Sequence, residues 1–101
     1  MPLFDSKTQA VSTTAVQVFA DFDRPTRTRA LLSAHPDNTG VIYVGSSDAV
    51  SATKTDATAG QALVAGASTW FPISAAVNGL TELDIYAIAT ASGQYLYAEL
   101  Q

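Results

Sequence analysis

The sequence predicts an all-β fold: one domain, an antiparallel β-sandwich or jelly-roll-like barrel of about six to eight short strands. Three observations lead there. Short alternating runs of apolar and polar residues are separated by Gly, Pro, Asn and Asp, the pattern of strands joined by turns. Alanine is frequent, but it is interleaved with Thr, Ser and Val rather than with Leu, Glu and Lys at a helical period. In Pro36-Asp37-Asn38-Thr39-Gly40-Val41-Ile42-Tyr43-Val44-Gly45, turn formers run straight into a strongly β-prone segment. A chain of 101 residues fits one domain, because domains cluster near ~100–150 residues.

A first strand is expected over Ala10–Phe19, with Val16, Val18 and Ala20 on one face, after an N-terminal arm over residues 1–10. Asp21-Phe22-Asp23-Arg24-Pro25 breaks it. Thr26–Ala34 forms the second strand, with Thr28, Ala30, Leu32 and Ala34 on one face and Arg27, Arg29, Leu31 and Ser33 on the other. His35–Gly40 turns the chain, Gly40 supplying positive φ, and Val41–Gly45 pairs back as a hairpin. Ser46–Ala59, rich in Ser, Thr, Ala and Asp, is a surface loop. Gln61–Val64 and Ser68–Ser74 are short strands, the second ended or pushed to an edge by Pro72. Asn78-Gly79 is a turn. Leu83–Thr90 and Tyr95–Leu100 make a second hairpin around Gly93, with Tyr95, Tyr97 and Glu99 opposite Leu96, Ala98 and Leu100. The domain proper is residues 11–101.

Composition narrows the function classes. Charged residues make up only 14% of the chain, against ~25% in typical domains, and Ala, Thr and Ser replace them. A surface poor in charge suits packing against other protein, because interface centres exclude charge that would have to be desolvated. The net charge is −4. Arg24, Arg27 and Arg29 are matched by Asp21 and Asp23, so nucleic acid, which needs clustered cations, is not expected as a partner. There is no cysteine, hence no disulfide scaffold, thiolate metal site or cysteine nucleophile. Met1–Lys7 lacks an apolar core of signal-peptide length, and no window approaches the ~18 apolar residues of a membrane span. No membrane association is expected. From Ala57 to Thr81 no residue is charged, yet the stretch holds Trp70 and Phe71. It reads as core strands, as a contact with other protein, or as both.

Motifs that carry chemistry fail on inspection. Gly66-Ala67-Ser68-Thr69-Trp70 starts like a nucleophile elbow, but Trp70 stands where a glycine must allow the sharp turn. His35 is the one histidine and sits in a turn, facing solvent. Asp37-Asn38-Thr39-Gly40 resembles the aspartic-protease signature, but Asn38 occupies the catalytic aspartate's place, so no shared-proton carboxylate pair exists. Asp37 and Asn38 instead suit a local Asx-type turn. Asp21 and Asp23, with Asp5 or Asp48, offer too few oxygens for the ~6–8 that calcium takes. Glu82 and Asp84 share the outward face of a strand. Catalytic groups, metals and cofactors are therefore not expected. Tyr95 and Tyr97 suit either a subunit interface or a platform for stacking sugars.

The turn-and-strand segment Asp37–Gly45, the segment Gly60–Ser68 and the closing Leu83–Ile88 together resemble the small β-rich virion proteins of tailed bacteriophages, of the capsid decoration (cement) type. The resemblance covers Thr28 to Leu100 and rests on pattern. It implies a non-enzymatic protein, often trimeric, that sits on the outer capsid surface after assembly in the host cytoplasm. There it clamps neighbouring subunits of the major capsid protein. Ser46–Ala59 and Met1–Ala10 depart from that pattern and leave the position in the virion open. The candidate interface is Leu3, Phe4, Trp70, Phe71, Tyr95 and Tyr97. Competing readings are a tail or fibre component, and a carbohydrate-binding β-sandwich that uses Trp70, Tyr95 and Tyr97.

Overall fold

A computed structural model describes residues 5–19, 29–46, 49–52, 60–72 and 85–100. Among these the protein is all-β, with no helix and eight strands in two antiparallel four-stranded sheets packed together. The strands are β1 (Asp5–Val11), β2 (Val16–Gln17), β3 (Arg29–Ala34), β4 (Ile42–Gly45), β5 (Gln61–Leu63), β6 (Ser68–Pro72), β7 (Tyr86–Ala89) and β8 (Gln94–Leu100). One sheet has the order β1-β8-β3-β6, the other β2-β7-β4-β5.

The pairing has a simple rule. β1 bonds to β8, β2 to β7, β3 to β6 and β4 to β5, as in one long hairpin. Folding that hairpin over brings β3 beside β8 and β4 beside β7, which completes the two sheets. This is the eight-stranded jelly roll, a double sheet wrapped so that consecutive strands alternate between layers. Only the β4–β5 connection stays within one sheet.

Alternation in the sequence places the core. On β3, Ala30, Leu32 and Ala34 are buried; on β8, Leu96, Ala98 and Leu100 are. Their register pairs Ala30 with Leu100, Leu32 with Ala98 and Ala34 with Leu96. Each inward pair thus joins one large and one small residue, which keeps the layer evenly filled. The other sheet repeats the rule with Ile42 beside Ala89 and Val44 beside Ala87. These residues, with Val11, Val18, Phe19, Leu63 and Ile85, form one core cluster between the sheets.

Several expectations are corrected. His35–Gly40 and Thr90–Gly93 do not close hairpins: β3 and β4 lie in opposite sheets, as do β7 and β8. Both are arches across the top of the sandwich. The stretch expected as one strand over Ala10–Phe19 splits, β1 ending at Val11 and β2 starting in the other sheet at Val16. Residues 5–10, expected in an arm, pair along their whole length with β8, from Asp5↔Leu100 to Ala10↔Tyr95. The polar alternation of Ser6-Lys7-Thr8-Gln9 is that of a half-exposed edge strand. Pro72 does lie on an edge strand, β6. The loop expected over Ser46–Ala59 is described only in part. Ala20, the Asp21–Pro25 break and Asn78-Gly79 lie outside the described residues.

Candidate functional site

The exposed aromatic residues gather on one sheet. Across β1-β8-β3-β6, the register aligns Thr8, Tyr97, Ser33 and Ser68 in one row and Ser6, Glu99, Leu31 and Trp70 in the next. All point away from the core, because they alternate with the buried set. Trp70 is 45% exposed, Tyr95 49% and Tyr97 36%. Trp70, remote in sequence from Tyr95 and Tyr97, therefore shares one face with them.

At the β6 end of this face Arg29 lies over the Trp70 ring, 4.3 Å from its centroid. The guanidinium covers part of the indole and holds it in one orientation through cation–π attraction. In the middle, the Tyr97 hydroxyl donates to Glu99 Oε1 at 2.8 Å. That bond favours the protonated phenol and, with burial, holds the Tyr97 hydroxyl above its ordinary value, although a bond with Ser6 works the other way. It also gives Glu99, buried on an otherwise open face, a donor for one carboxylate oxygen.

The β1–β8 sheet meets the 35–40 arch at the opposite end. Asn38 Nδ2 donates to the Tyr95 carbonyl at 3.0 Å, and the Tyr95 N–H donates to Asn38 Oδ1 at 2.9 Å. The amide thus mimics a strand partner for Tyr95. The expected local Asx turn is replaced by a contact spanning 57 residues of chain. His35 N–H also donates to the Tyr95 carbonyl at 3.1 Å, and Asn38 N–H to the His35 carbonyl at 3.0 Å. Asp37 N–H donates to His35 Nδ1 at 3.0 Å.

Beneath the arch, Gln94 is buried at the inward end of β8. Its Oε1 accepts from Gly40 N–H at 2.8 Å, and its Nε2 donates to Thr39 Oγ1 at 3.2 Å and to the Ser92 carbonyl at 2.9 Å. One side chain thereby ties the two arches together. A Cβ on Gly40 would stand 2.7 Å from Thr90 Oγ1, the atom that accepts from Val41 N–H at 3.0 Å. Gly40 is required for space rather than for the positive φ expected of it, since among the described residues only Gly66 and Gly93 have positive φ. Gly93, at φ 76°, makes the tight turn into β8.

Together these elements leave an open cleft of ≈ 450 Å³, lined by Thr8, His35, Asp37, Asn38, Gly93 and Tyr95. Its walls are pinned by the bonds just described, so it is preformed.

Of the candidate interface residues, Trp70, Tyr95 and Tyr97 come together, whereas Phe71 does not join them. It is partly buried against the core, on the side of β6 opposite Trp70. Leu3 and Phe4 lie outside the described residues, as do Asp21, Asp23, Asp48, Glu82 and Asp84. Among the described residues no group of three or more His, Asp or Glu could hold a metal ion. Among the described residues no helix is long and apolar enough to cross a membrane. His35 is half exposed, as expected of a turn residue, but its ring also braces the turn. Asn38 and Gln94 were not foreseen as organisers. The signal for Gln94 was present, because strict alternation puts it on the inner face with Leu96, Ala98 and Leu100. Compared with known protein families, characterised proteins and solved structures, the chain matches none.

Proposed function

We propose that this chain is a non-enzymatic structural protein of a tailed-bacteriophage virion, a decoration protein that sits on the capsid surface and stabilises it by binding across subunits of the major capsid protein. The observation that supports the reading is the half-exposed Trp70, with Arg29 stacked on it, and Tyr97 on the same outer face. Trp, Tyr and Arg are the residues that dominate interface energetics when a partner desolvates them. Serine and threonine surround them, so the patch stays soluble until it is covered. The low charge of the chain as a whole suits the same role.

The mechanism is linkage. A protein that binds the assembled shell and not its free subunits adds its binding free energy to shell stability. In an oligomer, several weak contacts reinforce one another through effective concentration.

Co-sedimentation with expanded capsids tests the reading. Wild-type protein should pellet with capsids and ignore unassembled capsid subunits. Trp70→Ala and Tyr97→Ala should each weaken capsid binding by about 2 kcal/mol, the size of an interface hot spot. Trp70→Ala should hardly move the melting temperature, because the ring is half exposed, whereas Tyr97→Ala also removes the donor to buried Glu99 and should lower it. Binding that survives both substitutions would remove this face from the contact, and binding to tails in place of capsids would overturn the assignment.

A further inference from the structure

We propose that the cleft between the 35–40 arch and the β1–β8 ribbon is a binding site for a neutral sugar ring, separate from the Trp70–Tyr97 end of the face. The lining groups match the chemistry of a pyranose, which has one apolar face and a rim of hydroxyls that both donate and accept. Tyr95, 49% exposed, supplies an aromatic surface for the apolar face. Around it stand groups of both polarities. The Asp37 carboxylate, its side chain 92% exposed, is a strong acceptor. His35 Nδ1 already accepts from the Asp37 N–H, so in the neutral ring the proton is on Nε2, a donor. Across the cleft on β1, Thr8 adds a hydroxyl able to do either.

The volume, ≈ 450 Å³, falls in the ~300–1,000 Å³ range of small-molecule sites. Among the described residues neither lysine nor arginine lines the cleft, which argues against a phosphate or other anion. A cationic ligand would suit Asp37, but recognition of quaternary ammonium groups relies on cages of several aromatic rings, and among the described residues the lining has one. Rigidity adds to the case. Both Asn38 side-chain atoms are committed to the Tyr95 backbone, so the arch and the aromatic surface keep a fixed separation without ligand. A ligand then binds without the cost of ordering a loop.

Titration of the free, isotope-labelled protein by NMR with methyl glucoside, methyl galactoside and methyl mannoside tests the site independently of any capsid. At least one sugar should shift the amides of Asn38, Gly93 and Tyr95 in a saturable way and leave those of Trp70 and Phe71 in place. Asp37→Asn keeps the fold, since the turn is held by the Asp37 backbone, and should weaken the midpoint by about tenfold, the loss of one charged hydrogen bond. Tyr95→Ala should abolish the response, while Trp70→Ala should preserve it. Should none of the three sugars shift these amides, or should the shifts centre on Trp70, the proposal fails. A response to tetramethylammonium in place of the sugars would equally overturn it. Capsid binding by a protein that ignores the sugars would reject this site and leave the proposed function standing.

Discussion

Gln94 shows how a single buried amide sets the geometry of one end of the sandwich. It accepts from the Gly40 backbone and donates to Thr39 and Ser92, so both arches depend on it. Gln94→Ala leaves the Gly40 N–H without its acceptor in a part-buried position, and an orphaned donor of this kind costs about 1–3 kcal/mol. For a domain of this size each 1 kcal/mol corresponds to a melting shift of about 4–8 °C. Calorimetry should therefore register a fall of that order for Gln94→Ala and almost none for Gln9→Ala, whose amide reaches only a neighbouring carbonyl at the surface. Equal melting temperatures would show that the arches stand without the amide. The Asp-Asn-Thr-Gly run was legible as a turn because its residue types favour turns. Its long-range partners were not, because a side-chain amide bonded 57 residues away leaves no local signature.

At the level of elements, strand character and inward faces were readable while pairing was not. The buried set Ala30, Leu32, Ala34 follows directly from alternation along β3, and Leu96, Ala98, Leu100 from alternation along β8. Which strand lies beside which depends on contacts remote in sequence. The two expected hairpins failed for that reason: the arches at 35–40 and 90–93 have turn chemistry, but their flanking strands belong to different sheets. The register Leu32↔Ala98 supplies a test of the pairing. Leu32→Ala should destabilise by about 2–5 kcal/mol through the cavity it leaves. Ala98→Leu should cost about 1–3 kcal/mol through overpacking. If the two positions share one volume, the double variant should be less destabilised than the sum, with a coupling of about 0.5–3 kcal/mol in urea denaturation. Strict additivity would argue that the pair does not touch.

For the whole molecule, the relevant feature is an uneven surface: one outer face carries Trp70, Tyr95 and Tyr97, on a chain with 14% charged residues. On the proposed function this face meets a partner, and oligomerisation is one way to bring several copies of it to a repeating surface. Light scattering at micromolar concentration should give a multiple of 10.5 kDa, a trimer of the decoration type being expected. A monomer both free and on capsids would exclude the multivalent mechanism. The all-β class, the single domain, the inward residues of β3 and β8, and the exposure of Tyr95 and Tyr97 were all determined by residue order, because period-2 alternation and turn chemistry act within a few residues. Only the tertiary structure decided the jelly-roll wrapping, the recruitment of residues 5–10 as an edge strand, the gathering of Trp70 with Tyr95 and Tyr97 on one face, and the cleft under Asn38. Each of these depends on which distant strands share a sheet, and that choice is made by core packing and backbone pairing over the whole chain.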